Sequence, residues 1–425
     1  MRFETAPQLL QRYAQDEAAG VQPCLPCAVA FPETSEQVRM ALDTARKNNW
    51  CVVPRGAGTG KAGGCVPVGP SLVLDFSKMN RILSVDAINR TARVQPGVVL
   101  AEFQAVLDEQ GLFYPPDPNS LSRCTIGGNV ATNAAGPSSL KYGPTRDYVL
   151  GLEVVLANGQ IVRLGKETLK GVAGYDLVSL ICGSEGTLAL VTEIVLKVIP
   201  KVPVAQTLQL WFQSDESAME SVFQILRTGI LPRVFEFADK LCGEGQASVL
   251  LELESEMPEA SWRNLQGVVE SEIALDEGNR RRIWSRRRQL SENLQRRAPH
   301  KLSEDIAIPL NRLPEFAKRF KHLGDSWGIE TAIFGHVGEG NLHAQILSDS
   351  VLGPEKQAHI LSELFKLTIE LNGTISGEHG IGLVKKPYLP LEQSAVVIDL
   401  QRAIKKVFDP EQILNPAKIF EHGTQ

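Results

Sequence analysis

The chain has 425 residues, more than one ordinary domain needs and suited to two or three. With 44 Lys+Arg against 49 Asp+Glu its formal net charge is −5, which argues against a general nucleic-acid binder, whose surface carries a basic excess. Apolar residues at 43% and charged residues at 22% are globular values and exclude a disordered chain, while no uncharged apolar run reaches the ~18 residues a bilayer crossing needs.

The opening segment, MRFETAPQLLQRYAQDE, carries acidic residues and lacks the apolar stretch of a secretory signal. Seven scattered cysteines read as reduced thiols of a cytoplasmic protein. Cys24 and Cys27 form a C-x-x-C, but no second pair follows to complete a zinc site, and the pattern cannot hold an iron–sulfur cluster. All seven histidines lie at or beyond residue 300, so chemistry that needs a base near neutral pH belongs to the C-terminal third.

In chain order, apolar spacing predicts a helix over 35–48 with Ser35 as its N-cap, a strand over 50–54, the glycine run RGAGTGKAGG, and a strand over 71–76. Strands are expected over 91–97, 151–159, 160–164 and 187–199, with helices over 99–111 and 170–182. This alternation argues for an α+β or α/β domain ending near Pro200. A second α+β domain then opens with a strand over 207–212, a helix over 214–226 and a strand over 248–254. It continues into a long basic helix over 261–297, and a last helix is expected over 391–408.

The run Gly56-x-Gly58-x-Gly60-x-x-Gly63 invites a phosphate reading, because glycine lets backbone N–H groups approach an anion closely. It is not the Rossmann device, which needs a helix directly after the glycines, and it lacks the Walker A spacing. Two more small-residue loops, TIGGNVATNAAGPSS (125–139) and GSEGTL (183–188), join it, the former preceded by PPDPNS. Three such loops beside strands fit one large phosphate-bearing cofactor, as against three unrelated turns.

In FGHVGEGNLHAQI, His336 and His343 flank a glycine turn between two apolar segments, and SGEHGIG adds Glu378 and His379. Two histidines and a carboxylate suit a divalent metal with positions left for substrate or water, although spacing alone equally allows histidines that satisfy loop backbone groups. Upstream, RRRIWSRRR packs six arginines into nine residues, Arg280 to Arg288, most of them a solvated helix face.

The segments RGAGTG, PPDPNS, TIGGNVATNAAGP, KYGPTRDYVLGLEVVLANG, GYDL and CGSEGTLALVTE resemble the FAD domain of the vanillyl-alcohol-oxidase superfamily. The closest branch is the FAD-linked 2-hydroxy-acid dehydrogenases: the glycolate oxidase D subunit, D-lactate dehydrogenase and D-2-hydroxyglutarate dehydrogenase. The resemblance runs over about residues 24 to 420. It implies an α+β architecture: a PCMH-type FAD-binding domain over 1–200, a substrate and metal (cap) domain over 201–390, and a tail over 391–425 returning to the flavin.

FAD would lie against Pro54 and, along the pyrophosphate, Arg55, Gly56, Ala57, Gly58 and Thr59. Pro116, Asp117, Thr125, Gly127, Gly128, Asn129, Asn133 and Gly136 would wrap its ADP and flavin portions, with Glu185, Gly186, Thr187 and Ile194 beyond and Asn415 in the tail motif NPAKIF. Many members of the superfamily attach FAD through a histidine of the first glycine loop; none precedes His300 here, so a non-covalent FAD is expected.

By the same resemblance His336, His343 and Glu378 hold a divalent metal, commonly zinc, and His379 is the catalytic base. The family pattern W-x-x-R points to Arg287 after Trp284 as the substrate-carboxylate cation, with Ser291 and Lys301 as weaker matches. The implied reaction is oxidation of a D-2-hydroxy acid, glycolate or D-lactate, to the 2-oxo acid. D-2-hydroxyglutarate, an alkyl-ether-forming flavoprotein and an electron-relay subunit of a larger oxidase are the alternatives. The electron acceptor is external, or an iron–sulfur or flavoprotein partner. Location is read as cytoplasmic, with any attachment to the inner membrane made through a partner. The chain is shorter than typical members and is trimmed after FEFADK, which bears on substrate size and subunit contacts.

Overall fold

The computed structural model describes residues 2–243 and 245–420. His422 lies outside them. Two compact units emerge: Met1–Ala135, Gly143–Lys201 and Glu378–Gln425 form the first, and Gly136–Tyr142 with Val202–Gly377 the second.

The first unit holds a four-stranded sheet in the order Phe3–Glu4, Ala28–Ala30, Ser71–Asp75, Cys51–Arg55, the last three parallel. Val52, Val53, Leu72, Val73 and Leu74 are all fully buried, the continuous apolar content expected of parallel strands covered on both faces. The helix Ser35–Lys47 covers one face through Val38, Ala41, Leu42 and Ala45, spaced at three and four residues. Its N-cap is Thr34, whose hydroxyl accepts from the Gln37 N–H, rather than Ser35; Ser35 instead donates to Glu153. The unit also holds a five-stranded antiparallel sheet, Ile82–Asp86, Thr91–Val94, Leu190–Lys197, Val149–Val155, Ile161–Gly165, and a two-stranded pairing of Leu112–Phe113 with Ile199–Pro200. The helix expected over 170–182 shrinks to Leu177–Ile181, because Gly174 takes φ +86° and Asp176 caps a fresh start.

The second unit is one seven-stranded antiparallel sheet. Its order is Val268–Ala274, Gln206–Phe212, Ala247–Leu253, Val234–Ala238, Glu330–Gly335, Asn341–Ser348, His300–Ala307. The helix Glu277–Arg297 covers one face, setting Ile283 on Val234, Leu250 and Ala274, and Leu294 on Ala238, Ala332 and Phe334. The long helix expected over 261–297 is instead a short helix Ala260–Arg263, the strand Val268–Ala274 and the helix Glu277–Arg297. Gly267 in the left-handed region breaks it, Val268–Ala274, with β-branched Val268, Val269 and Ile273, pairs as an edge strand, and Asp276 recaps the helix by accepting from the Asn279 N–H. The helix expected over 391–408 likewise splits into Leu389–Glu392 and Ala395–Phe408.

Asp239 ties the central strand to its neighbour, accepting the Ile333 N–H at 2.6 Å and the Cys242 N–H at 2.9 Å. Burial raises its carboxyl to about 6 against these hydrogen bonds. A folded-state value above the unfolded one means that the native state binds the extra proton between about pH 4 and 6, so this residue's contribution grows as pH falls through that window. Relative to Asp239→Asn, the wild type should gain stability on going from pH 7 to 4.5, at up to roughly 1.4 kcal/mol per pH unit. Urea midpoints of both proteins across that range test this, and a constant difference would refute it.

Candidate active site

In the first unit the three glycine loops meet. A Cβ on Gly56 would stand 2.4 Å from Thr125 Oγ1, and one on Gly186 would stand 2.4 Å from Pro54 Cγ, so these glycines permit loop-on-loop packing. The third loop bonds to the second through Gly183 N–H to Val130 O and Glu185 N–H to Ala131 O. Thr125 caps the short helix Ile126–Thr132, accepting from the Gly128 N–H, and Asn133 closes it at φ +51°. Ala57, Gly58, Thr59 and Gly60 donate no backbone hydrogen bond to any described residue, which leaves a consecutive run of N–H groups for an anion. That run, with a capped helix N-terminus beside it, suits the pyrophosphate of FAD.

Several side chains in this set serve the cradle itself. Arg55 turns back beneath Gly58, donates to Gln15 O at 2.9 Å and lies over the Tyr13 ring. Glu185, buried, accepts the Ile381 and Gly382 N–H groups at 2.8 Å each. Asn415 donates to Gly64 O and Glu185 O, joining the tail to the first and third loops. Lys418 donates to Val66 O under the first loop, where burial pulls its ammonium down to about 8. Pro116 O, with Tyr114 O, accepts from Gln104, and Ile194 is fully buried in its strand. Gly136 N–H bonds to Ser139 Oγ within the second unit's short segment.

In the second unit the expected strand–turn–strand is present: Glu330–Gly335, a turn, then Asn341–Ser348, with Phe334 paired to His343 across the strands. His336 and His343, both buried, face each other edge to face with ring centroids 5.6 Å apart. The next strand, His300–Ala307, bridges to Thr374 through Ala307, bringing residues 374–377 to its edge. Gly377 fits there because a Cβ would meet Asn341 Nδ2 at 2.1 Å and Asp305 Oδ1 at 2.8 Å. Glu378 is the next residue, and one ligand atom each from His336, His343 and Glu378 lie within 4.8 Å of one another. His379 Nε2 stands 3.6 Å from Glu378 Oε1. Two imidazoles and a carboxylate at this separation form a donor set that fits a divalent ion.

Arg287 lies against the same strands, with its guanidinium over Phe334 and its Nε 2.6 Å from Glu236 Oε2. Lys301 donates to the backbone and hydroxyl oxygens of Ser291, so these two expected residues are partners. Of the other arginines in the run, Arg282 and Arg286 pair with Glu272, and Arg280 and the Trp284 indole bond to buried Glu252.

Sequence reading missed Glu236, which also bonds His336 Nδ1 and is buried in the central strand. Burial opposes its ionisation, yet Arg287 and His336 hold the carboxyl well below the usual range. The signal was available as an acid inside the otherwise apolar run VFEFA. Asp305 was missed too; it holds Asn341 Nδ2 at 2.6 Å.

An FAD binding domain model matches residues 26–165 and the model for FAD linked oxidases, C-terminal domain, matches 202–419. The chain belongs to the FAD-linked oxidases. A relative of this family, glycolate oxidase subunit GlcD of Bacillus subtilis, is 38% identical over 419 residues, covering 93% of this chain and 89% of the relative. The D-lactate dehydrogenase of Archaeoglobus fulgidus is 35% identical over 436 residues, covering 98% and 95%. Substrate-bound p-cresol methylhydroxylase superposes with a TM-score of 0.80 over all of this chain and 95% of its own, at 16% identity, which establishes the PCMH-type α+β fold. The protein is therefore an FAD-linked oxidoreductase, and among the described residues no helix is long and apolar enough to cross a membrane.

Proposed function

We propose that this FAD-linked oxidase converts a small D-2-hydroxy acid, glycolate or D-lactate, to its 2-oxo acid at a site formed by His336, His343, Glu378, His379 and Arg287. The observation that carries the reading is the cluster of two imidazoles and one carboxylate beside an arginine bridged to one of those imidazoles. When bound, a divalent ion, zinc by the family resemblance, would acidify the substrate hydroxyl and FAD, held without a covalent bond, would accept hydride at N5. His336 and Glu236 together present the imidazole through Nε2, because Nδ1 is engaged. Arg287 supplies the cation for the substrate carboxylate, and His379 takes the hydroxyl proton as general base. Lys301 and Ser291 form an exposed polar pair of their own, Nζ to Oγ at 2.7 Å. Electrons then leave to an external acceptor or a partner subunit, as the subunit status of the Bacillus relative suggests.

The test is anaerobic titration of the flavin with glycolate, D-lactate and D-2-hydroxyglutarate. Bleaching by glycolate or D-lactate is expected. Bleaching by D-2-hydroxyglutarate alone would shift the substrate assignment, and bleaching by none would sink the dehydrogenase reading in favour of electron relay.

A further inference from the structure

Glu236 occupies the middle of the central strand of the seven-stranded sheet, between residues that are all buried, and its side chain is 1% exposed. The strand otherwise offers Val234 and Ala238 to that face, where they pack under the helix Glu277–Arg297. A carboxylate there has lost its hydration and needs directed partners to be tolerated. It has two of different kinds. Oε2 receives both Nε and Nη2 of Arg287, at 2.6 and 2.5 Å. Oε1 receives Nδ1 of His336.

We propose that Glu236 is a positioning residue that couples the metal ligand His336 to the substrate cation Arg287. This rests on the metal and arginine roles proposed above. An imidazole whose Nδ1 faces a carboxylate keeps its proton there and presents Nε2 as the donor to a metal, with raised basicity. An arginine held by its Nε/Nη2 edge meets a substrate carboxylate through Nη1, in an orientation set by the strand and not by its own flexible stem. One residue that touches neither metal nor substrate therefore governs both, and its replacement should move metal affinity and KM together.

The experiment uses the FAD-loaded protein stripped of metal, titrated with Zn2+ against a chromogenic chelator, for wild type, Glu236→Gln and Glu236→Gln/Arg287→Met. The double variant leaves no buried guanidinium without its counter-charge, so it remains measurable if the single variant folds poorly. Flavin absorbance and thermal unfolding report integrity. Both variants should bind Zn2+ on the order of 10- to 100-fold more weakly than wild type, because His336 has lost its carboxylate in each. The single variant should also show a raised KM for the acid that bleaches the wild type. Zn2+ affinity unchanged in Glu236→Gln, or restored in the double variant, would overturn the coupling and leave Glu236 as a counter-ion for Arg287 alone. A wild type that takes up no Zn2+ would overturn the metal reading and this proposal with it, a result distinguishable from variants that bind as tightly as a wild type that binds.

Discussion

Replacing His379 by Asn should lower kcat by about 10²- to 10⁴-fold, the usual contribution of a positioned general base, with FAD and metal content unchanged. Asn keeps much of the size and one hydrogen-bonding edge of the imidazole but cannot carry a proton. Neutral-range bases are scarce in this chain, since all seven histidines lie at or beyond residue 300. His336 and His343 are taken up by the cluster with Glu378, and His359 sits exposed on a helix near Glu363. His379 is the imidazole adjacent to the cluster, with its Nε2 3.6 Å from Glu378. The measurement is the rate of anaerobic flavin reduction in stopped flow at saturating substrate. Reduction at the wild-type rate would remove His379 from the chemistry, whereas a change in KM alone would make it a binding group.

Gly340→Ala should both destabilise the second unit by about 3 kcal/mol or more and abolish metal uptake. Gly340 takes φ +79°, a conformation that costs an L-residue about 1 kcal/mol, and its Cβ would stand 2.0 Å from the backbone oxygen of Ile308. That oxygen belongs to backbone and cannot swing aside. The Gly340 carbonyl accepts the Ile308 N–H at 2.9 Å, so moving either segment breaks the turn that spaces His336 from His343. Gly171→Ala, where a Cβ meets nothing within 4 Å, is the matched control and should be close to neutral. Equal melting temperatures and equal Zn2+ uptake for both variants would contradict this account.

The features legible in the sequence were those written in short-range pattern. Helical spacing of Val38, Ala41, Leu42 and Ala45 located the helix Ser35–Lys47, and the glycines between His336 and His343 announced a turn that brings two imidazoles together. What escaped depended on partners far along the chain. Glu236 finds Arg287 and His336 at separations of 51 and 100 residues, which no local window reports. The strand Val268–Ala274 was overlooked because the arginine run after it reads as continuous helix, while its own pairing is with Gln206–Phe212. The glycine loops were found, but the purpose of individual glycines was not. Gly56 and Gly186 serve contact between loops, and this becomes visible only once Thr125 and Pro54 are in place beside them.

The tail has a consequence for how the protein is made. Leu414 is fully buried beside Val52, whose N–H and carbonyl bond to Ile413 O and the Asn415 N–H, and Lys418 reaches Val66 O. The parallel sheet that carries the first glycine loop is thus finished by residues near the far end of the chain. A ribosome releases the first 200 residues long before it releases those, and the nascent FAD unit lacks its last partner throughout that interval. A chain cut before residue 413 should accordingly hold FAD more weakly, because Val52 then loses both of its partners.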